Sequence, residues 1–419
     1  MGDAIGSGGY GVVVSALPNG ANTYPGNVTK LYSKKDDYDK IIALIPKLPT
    51  LLGSNAGHRM NPYRTTFLGR NLKSSVRAKL RVGPEQPVYP IRMPHLGVDI
   101  TKVVDINDTS SRNAIRQCPI PILFQQIIKL LEQINRLGSY GYIHGDIRDS
   151  NIMIQPSDGT MTLIDFDWML PVDEFYAGYG GFGFYSNPPE FLLKTYFSWM
   201  SSKSFLTMDT LRRGMPNLDP YEVQFRKQFP FIDAITPTIK NYIISANIKN
   251  FIYLQTHSFK SCLSTFDGFG LACSLLTLFY HLYPGSCHPV ATLDEVKVGL
   301  ETRVSKHGEL YSDPELSACS KSILSLVRTV LLPMASFEIE GRLTTSVALA
   351  KAKVIYLELS KAFFPSNSME DPVNEDGIRR RDMGHLAVLA AKAGNTSVLE
   401  RLVHGKNRRT RRNKKQHIP

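Results

Sequence analysis

Short β-branched or apolar runs bounded by glycine and proline mark the first part of this chain. Val12-Val13-Val14 follows a glycine-rich stretch, Asn27-Val28-Thr29-Lys30 contains a second run, and residues 88–93 form a third. Each predicts a strand. Residues 39–48 are apolar at helical spacing, and Asp37 and Asp39 lie where a carboxylate favours a helix start. Residues 142–167, YIHGDIRDSNIMIQPSDGTMTLIDFD, predict strand, turn and strand: Ile152-Met153-Ile154, the cluster Pro156-Ser157-Asp158-Gly159, and the run 161–164 that delivers Asp165 at its end. Residues 266–284, FDGFGLACSLLTLFYHLYP, open with an aspartate and continue as an almost wholly apolar helix. About 15 apolar residues interrupted by His281 are too few to span a bilayer, so a buried core helix is expected and no transmembrane segment.

The chemistry concentrates in residues 142–167. Asp146 and Asn151 leave a loop just before one strand and Asp165 ends the next, so the three side chains can converge. A carboxylate and an amide oxygen suit Mg²⁺ (or Mn²⁺), and a second carboxylate can orient a hydroxyl and take its proton while phosphate is attacked. This combination predicts phosphoryl transfer, with Asp146 as base and Asn151 and Asp165 as metal ligands.

Here the chain resembles the protein kinase superfamily: His144-Gly145-Asp146 at the catalytic loop, Asn151 five residues on, and Asp165-Phe166-Asp167 in place of the usual Asp-Phe-Gly. The rest of the pattern follows in family order. Gly6-Ser7-Gly8-Gly9-Tyr10-Gly11 looks like the glycine loop over the phosphates of ATP, with Gly6, Gly8 and Gly11 as binding residues. A dinucleotide-binding loop would follow a strand and open a helix, whereas a β-branched run follows this one. Lys30 looks like the strand lysine that meets the α- and β-phosphates. Residues 92–97, RMPHLG, look like the hinge that grips adenine through the Pro94 carbonyl and the Leu96 N–H. Pro188-Pro189-Glu190, Asp267 and Arg342 match the structural residues of the family: a glutamate paired with a late arginine, and an aspartate that holds the catalytic loop.

The resemblance implies an α+β, bilobal protein kinase-like fold with ATP as phosphate donor. A small β-rich lobe is expected over about residues 1–93, and a large helical lobe over about 98–365 with an insertion at 191–265. Arg148 falls where serine/threonine kinases carry a lysine on the γ-phosphate, which implies Ser or Thr of a protein as acceptor. The glycine at 145, the Asp-Phe-Asp and the compact first lobe look most like divergent kinases of large DNA viruses.

The departures from the family are specific. The only Glu before residue 86 is Glu85, so the helix glutamate expected to pair with Lys30 is missing, and Asp37 or Asp39 is the expected substitute. Gly145 replaces an arginine that reads an activation-loop phosphate, and residues 166–185 contain no Ser or Thr, although Tyr176 and Tyr179 remain modifiable. Control by loop phosphoserine or phosphothreonine is therefore not expected. Aminoglycoside and choline kinases share HGDxxxxN and a strand-borne Asp, which keeps a small-molecule kinase as an alternative; Pro189-Glu190 and Arg342 argue against it. A pseudokinase scaffold is the third reading, left open by the missing glutamate and opposed by Lys30, Asp146, Asn151 and Asp165.

With 419 residues and 42% hydrophobic content the chain can bury a large core. Five scattered cysteines without CxxC spacing suggest thiols in a reducing compartment, and nothing at the start reads as a signal peptide, so a cytoplasmic location is expected. Apolar clusters at 242–254 predict helices within the insertion. Residues 384–406 carry the small-residue helix pair of a single ankyrin-like repeat or a plain helical extension over 366–405. Lys406, Arg408, Arg409, Arg411, Arg412, Lys414 and Lys415 supply seven charges of a net +12, so 406–419 is expected to be a disordered basic tail. Nuclear import, nucleic-acid phosphates or an anionic surface are the partners such a tail would meet.

Overall fold

The computed structural model describes residues 4–7, 11–15, 27–53, 60–62, 66–105, 107–116, 118–174, 188–190, 219–230, 232, 235–257, 262–283, 286–287, 292–304 and 311–363. Gly8, Tyr176, Tyr179, the extension 366–405 and the tail 406–419 lie outside them. The fold is α+β, with small antiparallel sheets and many helices. Two compact units divide the chain: Met1–Gly97 with Asp165–Met169, and Val98–Ile164 with Leu170–Pro419.

The first unit is built on an antiparallel sheet of β1 (Ala4–Ser7), β2 (Gly11–Val14), β3 (Asn27–Tyr32), β4 (Asn61–Pro62), β5 (Phe67–Leu68) and β6 (Pro87–Pro94). Its main path runs β1-β2-β3-β6-β4, which makes β3 a central strand. Alternation assigns its faces. Leu31 joins Val12, Val14 and Val88 against Leu72, Val76 and Leu80 of the segment around helix Ser74–Leu80, while Lys30 and Tyr32 lie on the opposite face. Helix α1 spans Lys35–Leu44 and buries Ile41 and Leu44. The helix expected over 39–48 thus starts earlier and ends sooner. Pro46 lacks an N–H, and the chain tightens into a 3₁₀ turn at Ile45–Lys47 before a second short helix, Leu48–Leu52.

In the second unit a 20-residue helix, Ile120–Ser139, leads into β8 (Tyr142–Ile143) and the loop that follows it. Strands β9 (Ile152–Ile154) and β10 (Met161–Leu163) form the expected hairpin, with Ile154 opposite Met161, and β7 (Val98–Asp99) adds a third strand. β11 (Leu170–Pro171) pairs with β8. The apolar stretch after Asp267 forms the core helix Phe266–Leu282, in which Phe269, Leu271, Leu275 and Leu276 are fully buried. The apolar count understated its reach. Leu263–Leu282 and Asp313–Met334 are both long and apolar enough to cross a membrane, and 83% and 56% of an apolar 18-residue stretch in each are buried inside the protein. Burial, and not shortness, is what marks the first as a core helix.

The stretch read as an insertion contributes, among the described residues, helices Asp219–Gln228 and Pro237–Thr256, the second capped by Thr236. Tyr221, Phe225, Ile243 and Ala246 bury against Phe337. Asn250 fixes this packing: its amide donates to the Phe337 carbonyl at 2.6 Å and accepts from the Ile339 N–H at 2.9 Å. All five cysteines are buried thiols, none of them in a disulfide.

Candidate active site

The first unit holds an ion cluster on β3. Lys30 Nζ lies 2.7 Å from Asp165 Oδ1 and 2.7 Å from Asp167 Oδ2, and the Tyr32 hydroxyl donates to Asp167 Oδ1 at 2.9 Å. Strand alternation puts Lys30 and Tyr32 on one face, where the ammonium sits 5.0 Å from the tyrosine ring centre. Burial on its own would lower the Lys30 pKa, but the neighbouring Asp165 and Asp167 outweigh it and hold the ammonium protonated. Burial pushes Asp167 up to about 6, against the pull of Lys30. Asp165 itself takes a left-handed backbone, φ 63° and ψ 68°, rare for a residue with a Cβ.

This corrects the acidic partner expected for Lys30. Asp39 is exposed and binds Lys35 one helical turn back, and Asp37 makes no ion pair with Lys30; the second carboxylate on the lysine is Asp167. The signal was present in the sequence, since the chain lacks a helix glutamate and carries an acid, Asp167, where the kinases it resembles have glycine. Tyr32 had no such signal.

Gly6 lies on β1 opposite Val13 of β2. Gly11 faces Tyr32 across the β2–β3 ladder, and a side chain there would run into the Leu31 carbonyl, so close strand packing alone requires glycine. Pro94 ends β6 opposite Asn27, and Leu96 is half-buried in the short link to β7.

In the second unit the residues 144–151 are held from below. Asp267, at the start of the core helix, accepts the His144 N–H at 2.7 Å and the Gly145 N–H at 3.0 Å. Burial pushes this carboxyl up to about 6, with the two N–H bonds opposing and Asp146 adding to the rise. His144 Nε2 meets the Ile164 carbonyl at 3.1 Å, and Ile164 N–H bonds the Asn151 carbonyl at 3.0 Å, so the loop is also tied to the end of β10. Gly145 has φ 80°, a conformation that favours glycine whatever its bearing on phosphate recognition.

Asp146 and Asn151 meet on this loop. The Asn151 amide donates to the Asp146 carbonyl at 2.8 Å and to Asp146 Oδ2 at 2.9 Å. Those bonds assign the NH₂ end, so the amide oxygen is the end left to ligate a hard cation. Ser150 Oγ approaches that oxygen at 3.4 Å. Arg148 Nε is 3.4 Å from Asp146 Oδ2. Further along the same unit, Glu190 and Arg342 form a bidentate pair at 2.5 and 2.9 Å with both side chains fully buried. Arg342 also donates to the Ser336 carbonyl and lies over the Phe269 ring. Among the described residues no group of three or more His, Cys, Asp or Glu could hold a metal ion.

No protein-family model matches the chain, and no curated protein matches it.

Proposed function

We propose that this chain is an ATP- and Mg²⁺-dependent protein kinase of bilobal, protein kinase-like fold that transfers the γ-phosphate to Ser or Thr hydroxyls of protein substrates. One observation carries the reading: the strand lysine Lys30 and the hairpin aspartate Asp165, 135 positions apart and singled out on independent motifs, are joined at 2.7 Å. The buried Glu190–Arg342 pair is the second support, because it belongs to the segment by which protein kinases, and not small-molecule kinases, bind their acceptor.

In this reading Asp146 orients the acceptor hydroxyl and takes its proton, and its 2.9 Å bond from Asn151 fixes the carboxylate rotamer. Asn151 and Asp165 offer hard oxygen donors, the kind Mg²⁺ or Mn²⁺ accepts, and two protein ligands are the usual complement when phosphates complete the shell. The bound cation would neutralise phosphate charge. Arg148 directs a guanidinium at the γ-phosphate, Lys30 meets the α- and β-phosphates, and Gly6, Gly8 and Gly11 bring backbone close to them. Pro94 and Leu96 offer a carbonyl and an N–H to adenine. The basic tail would meet nucleic acid or an anionic surface through charge alone.

The test is γ-labelled ATP with generic protein acceptors and a small-molecule panel, under Mg²⁺ or Mn²⁺. Wild type should label protein. Asp146→Asn should lose roughly 10²–10⁴ in rate while still binding ATP, and Asp165→Ala should lose metal-dependent nucleotide binding. Undiminished transfer in either variant, or labelling confined to small molecules, would remove the assignment.

A further inference from the structure

The last described helix, Thr345–Phe363, buries one side. Ala348, Ala352, Leu359 and Phe363 are inside, the helix lies against Ile120–Ser139 and Asp313–Leu326, and the Tyr356 hydroxyl accepts from the Gln125 amide at 2.7 Å. Its other side carries an apolar seam. Val347, Val354 and Leu357 are 44%, 60% and 57% exposed, and Ala350 is exposed between them. The four follow one another at spacings of three, four and three residues, the repeat by which one helix takes up another. Single exposed apolar residues are ordinary, but an aligned row of them marks a surface that is covered by something.

The sequence that follows needs a surface of this kind. Residues 385–393, HLAVLAAKA, lie outside the described residues; as a helix they are apolar all round apart from His385 and Lys392, a pattern that belongs to a buried helix. Residues 398–403, VLERLV, place Val398, Leu399, Leu402 and Val403 on one helical face and can cover one side of it. The other side stays bare, because a single helix pair buries its faces only against a neighbour. The seam is within reach: the 20 residues 364–383 extend up to about 66 Å, against about 28 Å for the whole of helix Thr345–Phe363.

We propose that residues 385–393 dock as a helix on the seam Val347, Ala350, Val354 and Leu357 of the same chain. A second copy fits the seam less well. Lys351 and Lys353 border it, and two copies paired antiparallel about its middle would set Lys351 of one against Lys353 of the other, whereas 385–393 brings Lys392 as its one formal charge. Tethering also raises the local concentration of the chain's own segment over that of a free partner. The basic run 406–415 begins three residues after Val403, so docking ties the root of the tail to helix Thr345–Phe363. This goes beyond the proposed function and stands or fails without it.

Hydrogen exchange on the full chain compares wild type with V354E/L357E and I252E. A helix as short as 385–393 is marginal alone, so slow exchange there reports docking. Its amides should exchange at least about tenfold slower in wild type than in the unfolded chain, and V354E/L357E should remove most of that slowing. I252E puts a charge on another apolar residue, 55% exposed on helix Pro237–Thr256, and should leave it in place. Because the five native cysteines are buried, V354C/A390C can be bridged selectively by a short bis-maleimide, and the bridge should form within one chain. No slowing in wild type, slowing that survives V354E/L357E, or an equal loss in I252E overturns the proposal. So does a bridge that is absent or forms only between chains, the second outcome making another copy the occupant. If V354E/L357E does not fold, the bridge decides.

Discussion

Asp267 sets two opposing effects against each other. Its two backbone N–H bonds favour the anion, while complete burial and the nearby Asp146 favour the neutral acid, and the balance lies at about 6. An unfolded aspartate titrates near 3.9, so the folded chain binds more protons between about pH 4 and pH 6. Folding stability contributed by this group therefore falls as pH rises through that window. Asn at this position has no charge to lose, and its NH₂ must face a backbone N–H, leaving a buried donor unpaired at a cost of about 1–3 kcal/mol. Asp267→Asn should be less stable than wild type, with the gap wider at about pH 4.5 than at about pH 7 by on the order of 1–3 kcal/mol. Urea unfolding of both proteins at the two pH values measures it; a gap that widens with rising pH would contradict the raised pKa. The residue pattern showed only an aspartate opening an apolar helix, and its bond to the 144–145 backbone was expected from the resemblance alone. For Asp167 the signal was an acid in place of the usual glycine, and for Tyr32 alternation gives the face but not which distant carboxylate arrives there.

Helices and strands were legible where apolar pattern and punctuation agreed, as in the β9–β10 hairpin between Asn151 and Asp165. They were less so where one residue overrode the pattern: Pro46 cuts a stretch that is apolar at helical spacing into α1 and a second short helix. The core helix adds a demand that no pattern of hydrophobicity expresses. Gly270 lies against the Ile147 backbone so closely that a Cβ would collide with its carbonyl oxygen. Gly268, one half-turn back, meets only the ends of side chains, Thr345 Oγ1 at 3.0 Å and Met334 Cε at 3.1 Å. Side-chain tips can shift and a clamped loop backbone cannot. Gly270→Ala should cost about 1–3 kcal/mol and lower phosphate transfer by displacing the Asp146 loop, while Gly268→Ala should cost less in both. Urea unfolding and the labelled-ATP assay on the two variants rank them; equal effects would mean that the helix does not seat the loop through Gly270.

Across the whole molecule, order is maintained by a few contacts between residues far apart in sequence, and these are where sequence reading needs the most help. Hydrophobic pattern singles out neither Glu190 nor Arg342, and pairing them 152 positions apart came from resemblance alone. In the structure the pair sits with both side chains fully buried, the guanidinium also bonded to the Ser336 carbonyl and lying 5.1 Å from the Phe269 ring centre. Phe269 is in the core helix, between Asp267 and Gly270, which meet the 144–147 backbone, and Ser336 adjoins the Phe337 against which Tyr221, Phe225 and Ile243 pack. The pair thus connects three parts of the second unit. Two charges taken out of water lose much of their mutual attraction to desolvation, so the intact pair adds little net stability, yet removing one partner strands the other and typically costs about 3–5 kcal/mol. Arg342→Ala and Glu190→Ala should each destabilise strongly, Arg342→Ala somewhat more because it also frees the Ser336 carbonyl. The double variant should lose far less than the sum, since no buried charge is then left alone. Unfolding the four proteins in urea gives the coupling directly: strictly additive losses, or single variants as stable as wild type, would mean that this buried pair does not hold residues 188–190 in place, and the main argument for the proposed protein acceptor over a small molecule would go with it.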